Sequence, residues 1–124
     1  MEFKKSPPEL VERFHELARL VPDATPKQMF GYPTMVLAGN MFMGLHGDGM
    51  ILRLADPDLR TFMDEAGAKP FEPMPGRPMR GYALAPRAVV GDRAIERWIA
   101  RSYAYAQSLP PKAAKSRRPA KRGG

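Results

Sequence analysis

The chain contains no cysteine. That excludes disulfides, thiolate metal sites and a cysteine nucleophile, and it suits a reducing compartment. No apolar run approaches the roughly 18–20 residues that span a bilayer. The opening residues, MEFKKSPPELVERF, lack the apolar centre of a secretory leader. A cytoplasmic protein without a membrane segment is the expectation. Histidine is scarce, with only His15 and His46. His15 lies off the apolar stripe of the first predicted helix and is expected in water. His46 and Asp48 flank a tight turn, where neighbouring side chains diverge into solvent, so no acid–base pair is assigned to them. Ser6, Ser102 and Ser108 stand in no Gly-x-Ser-x-Gly context. Gly47-Asp48-Gly49 is followed by neither a lysine nor a helix, so it reads as a turn and not as a phosphate loop. Asp56 and Asp58 fall at a helix start, where the helix dipole accounts for them without a metal. No catalytic residue, metal ligand or cofactor is assigned, and the chain is read as a non-enzyme.

What is present begins with charge. The 124 residues carry a net +7, and Lys112, Lys115, Arg117, Arg118, Lys121 and Arg122 supply six of the positive charges. All the acids precede Pro110, so residues 1–109 are nearly neutral. The high isoelectric point therefore describes a tail and not a folded face. Residues 110–124, PPKAAKSRRPAKRGG, have no large apolar side chain to offset ordering entropy and are expected to be disordered. Residues 1–109 are expected to form one domain.

Periodicity and punctuation give the elements. A helix begins at Pro7 or Pro8, with Leu10, Val11, Phe14, Leu17, Ala18 and Val21 on one face, and Pro22 ends it. From Met29 to Asp56, MFGYPTMVLAGNMFMGLHGDGMILRLAD reads as three short strands. Gly39-Asn40 and Gly47-Asp48-Gly49 make the turns between them. A second helix is expected with Asp56 as its cap, Pro57 first inside, and Leu59, Phe62, Met63 and Ala66 buried. Gly67 is placed to end it in the left-handed region. Ala68–Phe71 and Arg80–Ala85 read as extended. The last helix, about Asp92 to Ser108, aligns Ile95, Trp98, Ile99, Ser102, Tyr103 and Ala106. The order is α-β3-α-β2-α. Strands and helices do not alternate singly, so a parallel doubly wound sheet is excluded. A two-layer α+β fold follows, one antiparallel sheet covered by helices.

Two segments are candidates for binding. Glu72–Pro78 is a proline-rich loop, and Met74 and Met79 lie beside Arg77 and Arg80 there. Flexible apolar side chains next to guanidinium groups suit an unidentified protein partner. The tail's six basic residues suit weak, sequence-independent attraction to nucleic-acid phosphates.

Several motifs in order carry a family resemblance. Met29-Phe30-Gly31, Gly39-Asn40-Met41-Phe42, Leu52-Arg53-Leu54, Gly67-Ala68-Lys69-Pro70-Phe71-Glu72-Pro73 and Gly76-Arg77-Pro78-Met79-Arg80-Gly81-Tyr82 resemble the N-terminal domain of the TfoX/Sxy family. The closing helix with Trp98 and Ala104-Tyr105-Ala106 is similar too. The resemblance covers about residues 9–110. It implies a two-layer α-β3-α-β2-α domain with no known enzymatic activity and no cofactor. Family members include regulators of natural competence, which usually carry a second, C-terminal domain. The expectation is thus a standalone N-terminal-domain protein. Its role would be that of a regulatory or interaction module linked to transcription or competence. The alternatives are a nucleic-acid-associated protein acting through its tail, or a small-ligand binder.

Overall fold

A computed structural model describes residues 5–29, 31–74 and 76–111. Helix α1 (Pro8–Ala18) leads into strands β1 (Thr25–Met29), β2 (Tyr32–Leu37), β3 (Asn40–His46) and β4 (Gly49–Arg53). Helix α2 (Asp56–Ala66), the short strand β5 (Lys69–Pro70), β6 (Tyr82–Ala85), the single-turn α3 (Arg87–Val90) and α4 (Ile95–Ser108) follow. The six strands form one antiparallel sheet in the order β1-β2-β3-β4-β6-β5. The α+β architecture is the one read from the sequence.

The helices cover one face. Strand alternation sends Met43, Leu45, Met50, Leu52, Ala83 and Ala85 to it, and all six are buried. Leu10, Phe14 and Leu17 of α1 join that core, as do Phe62 of α2 and Ile95, Trp98 and Ile99 of α4. Each fully buried side chain of this size contributes roughly 1.5–3 kcal/mol. On β3, Met35 pairs with Met43 while Val36 pairs with Met41. Phe42 is the extra residue of a bulge. It is completely buried, and its ring lies 5.9 Å from that of Tyr103.

Register and alternation put Tyr32, Thr34, Gly44, His46, Ile51, Arg53, Tyr82 and Leu84 on the other face. In the strand order β4 and β6 separate β3 from β5. Phe71, just beyond β5, nevertheless brings its ring to 4.9 Å from that of His46 on β3. The sheet is therefore curled about this face.

The structure departs from the sequence reading at several points. Strand β1 and helix α3 were not expected. The β2–β3 turn is Ala38-Gly39, both at positive φ, and Asn40 already pairs with Leu37. A two-residue hairpin loop of the primed type needs positive φ at both positions, and here alanine takes the first. Asn40 serves elsewhere: its amide donates to the carbonyl oxygen of Pro110 at 3.0 Å. Helix α2 includes Asp56, with Ala55 as its cap. Gly67 closes that helix at φ +69° as expected. Helix α4 starts at Ile95, and Asp92 Oδ1 accepts the Ala94 N–H just before it at 2.8 Å. The residues from Lys112 onward, including all six basic tail positions, lie outside the described residues.

Candidate functional site

Three features carry polar or exposed groups that a partner would meet. The first is the segment after β5. Its backbone is tied to the edge of β6: the Phe71 N–H donates to Tyr82 O at 3.1 Å, Met79 N–H to Phe71 O at 2.8 Å, and Tyr82 N–H to Met79 O at 3.2 Å. At its tip, the Arg77 N–H donates to Met74 O at 2.9 Å, and Gly76 supplies the positive φ of +78°. Met74 is held 55% exposed, beside an exposed Arg77. Arg80 is also exposed, whereas Met79 is half-buried. The four residues predicted for partner contact are thus divided. Met74, Arg77 and Arg80 face solvent, and Met79 packs partly inward. Among the described residues neither arginine forms an ion pair.

The second feature was missed by sequence reasoning. His46 does not extend into water from the hairpin tip. Its ring stands 4.9 Å from Tyr32 and 4.9 Å from Phe71. Burial between them lowers its pKa below the usual histidine value. Its ring nitrogens make no hydrogen bond to a described residue. Two open clefts adjoin it. One, of about 500 Å³, runs past Asp48 and Lys69 to Pro86 and Arg87. The other, of about 410 Å³, runs along Lys69, Phe71 and Glu72. Both include Leu84. His15, by contrast, is exposed on α1 as expected.

The third feature is Arg53, half-buried where β4 ends. Its guanidinium carbon lies 5.5 Å from the centre of the Tyr82 ring and 5.8 Å from that of Tyr105. The Tyr82 hydroxyl donates to Met41 O at 2.7 Å. Burial raises the Tyr82 pKa, and the adjacent Arg53 charge opposes that rise. The one sequence signal for this cluster is a charged residue inside the apolar run Met50-Ile51-Leu52-Arg53-Leu54.

Among the described residues no three His, Asp or Glu side chains come together as a metal-ligand set. No helix there is long and apolar enough to cross a membrane. The tail's six basic residues lie outside the described residues. Pro110, anchored by Asn40, is where the sequence leads toward them.

The fold defines a small two-layer α+β domain, helices on one face of a curled antiparallel sheet and a tethered loop at its β5–β6 edge. The chain belongs to the TfoX N-terminal domain family, which it matches over residues 15–106. No curated protein and no solved structure matches it.

Proposed function

We propose that this chain is a cytoplasmic, non-enzymatic regulatory module that docks a protein partner through the segment between β5 and β6. The observation that carries this reading is Met74, 55% exposed at the tip of a hydrogen-bonded turn next to Arg77. A thioether held in water by a fixed backbone suits an apolar notch on a partner, and the neighbouring guanidinium groups suit carboxylates around that notch. Hydroxyls that would otherwise be available for chemistry are engaged in structure: Tyr82 donates to Met41 O, and Ser102 lies against the carbonyl oxygens of Phe42 and Arg53. The competence regulators of the TfoX/Sxy family supply the regulatory part of the reading. The test is quantitative cross-linking in cells with the wild-type chain and a Met74→Ser, Arg77→Glu variant. A partner retained by the first and lost by the second, with unchanged melting temperature, supports the reading. Equal retention overturns it.

A second reading rests on charge partition. Six basic residues without an intervening acid, Lys112, Lys115, Arg117, Arg118, Lys121 and Arg122, give weak and sequence-independent affinity for nucleic acid. Duplex DNA should bind with a log–log salt slope no steeper than about −5, from roughly 0.9 per phosphate contact. Replacing the six by glutamine should abolish the binding. Binding that survives the replacement would locate the contact on the domain.

A further inference from the structure

His46 has a packing role that a phenylalanine would fill, yet it carries two ring nitrogens. The ring is half-buried beside Tyr32 and Phe71, and its nitrogens have no hydrogen-bond partner among the described residues. A neutral imidazole offers one N–H donor and one acceptor, and at the wall of an open cleft both are available to a ligand. The clefts beside it share His46, Lys69 and Leu84. Lys69 is exposed and forms no ion pair among the described residues. Arg87, at the far end, leans toward Glu9 at 3.7 Å. The two acids, Asp48 and Glu72, each line only one cleft and so flank the shared centre. That centre therefore combines a cationic donor, a ring N–H donor and an apolar floor. A volume of about 500 Å³ lies within the range of small-molecule sites.

We propose that this double cleft binds a small organic carboxylate. Its carboxylate oxygens accept hydrogen bonds from the Lys69 ammonium and a His46 ring N–H, and its apolar body lies on half-buried Leu84. The curl of the sheet makes the site. It brings the segment after β5 across β4 and β6 to β3, so that groups far apart in strand order line one hollow. The site lies on a different set of residues from the Met74 turn, so it stands or falls independently of the partner reading.

The probe is benzoate, followed by ¹H–¹³C NMR of the histidine rings. Only two histidines exist, and exposed His15 serves as the internal reference. Benzyl alcohol supplies the same apolar body without charge. The expected result is a saturable shift of the His46 signals with a Kd below about 1 mM. Benzyl alcohol should bind about tenfold more weakly or worse, because it lacks the charge-assisted hydrogen bonds. Lys69→Gln, a substitution at an exposed position, should weaken benzoate by about tenfold on the same ground. Benzoate should also raise the His46 pKa, because a protonated ring donates to the anion more strongly and linkage is reciprocal. A His46 shift that is linear in benzoate, equal affinity for benzyl alcohol, or undiminished affinity in Lys69→Gln would each overturn the assignment.

Discussion

Ser102 Oγ, on α4, lies 2.7 Å from the carbonyl oxygen of Arg53, on β4, and the carbonyl oxygen of Phe42 lies 2.9 Å from it on the other side. The β3–β4 ladder ends at the Met43–Leu52 pair, and Phe42, the next residue on β3, is the extra residue of the bulge against β2. A helix side chain thus occupies the place where two strands part. One hydroxyl proton is shared between two carbonyl acceptors, and the hydroxyl is fully buried.

Ser102→Ala should therefore be more damaging than the loss of one hydroxyl suggests. It keeps the helix and the volume but leaves two carbonyls short of a donor. The expected cost is about 1–3 kcal/mol in urea unfolding, the range for buried polar groups left unsatisfied. Ser102→Thr should not reproduce the loss if the pocket admits one methyl. A cost for Ser102→Ala below about 0.5 kcal/mol would mean that water reaches both carbonyls.

Gly49 and Gly91 should respond oppositely to alanine. A Cβ on Gly49 would overlap the carbonyl oxygen of Ala85 on the neighbouring strand. That oxygen belongs to the backbone of β6 and cannot turn aside. Gly49→Ala should cost about 1–3 kcal/mol, as overpacking does. At Gly91 the nearest atoms to a new Cβ are 3.9 Å away, and φ is −77°. Gly91→Ala should stabilise by about 0.4–1 kcal/mol through a less flexible unfolded chain. Paired urea titrations measure both.

These sites also mark how far the sequence could be read. The apolar stripe of α1 was legible because Leu10, Phe14 and Leu17 repeat at helical spacing and are buried together. The Gly47-Asp48 turn was legible from its residue types, and His46 pairs with Gly49 across it. Strand β1, TPKQM, was not legible. It is an exposed edge strand with a proline and a lysine, so it has neither apolar alternation nor a buried face to betray it. Helix α3 is four residues long, too short for a periodic signal. His46 was misjudged for a different reason. Its surroundings come from β2 and from the segment after β5, and the curl that brings them together has no local pattern. The exposed Met74 turn was the opposite case, because proline and glycine spacing alone set it apart.

Trp98 should prove a structural anchor. It is buried on α4 with its ring 5.1 Å from that of Phe62 on α2, and the guanidinium carbons of Arg97 and Arg101 lie 5.4 and 5.8 Å from its ring centre. Trp98→Ala removes the aromatic contact between the two helices and should cost about 3–5 kcal/mol. Trp98→Phe retains the ring contact and should cost clearly less. Far-ultraviolet circular dichroism follows both, since the substitutions remove the fluorophore. Equal losses for the two would assign the stability to the indole's extra volume and its cation contacts, not to the Phe62 contact.

The stability of the domain should fall with acid through His46. Burial lowers the pKa of this ring from 6.5 in the folded state, while the unfolded chain protonates near 6.5. Below that pH the unfolded state binds the extra proton first, so unfolding free energy rises with pH in that window. The contribution is complete above 6.5 and is lost as pH falls toward the lowered value. The groups around the ring are Tyr32 from β2, Asp48 from its own turn, Lys69 and Glu72 from the segment around β5, and Arg87 from α3. Burial is the cause of the lowered value. His46→Phe keeps the stacking between Tyr32 and Phe71 and removes the titration. Urea unfolding at pH about 7.5, 6.5 and 5.5 should show wild type losing more stability than His46→Phe as the pH drops. Parallel curves for the two proteins would mean that His46 takes up its proton in the folded state as readily as in the unfolded chain, and that the ring is more open to water than its two aromatic neighbours imply.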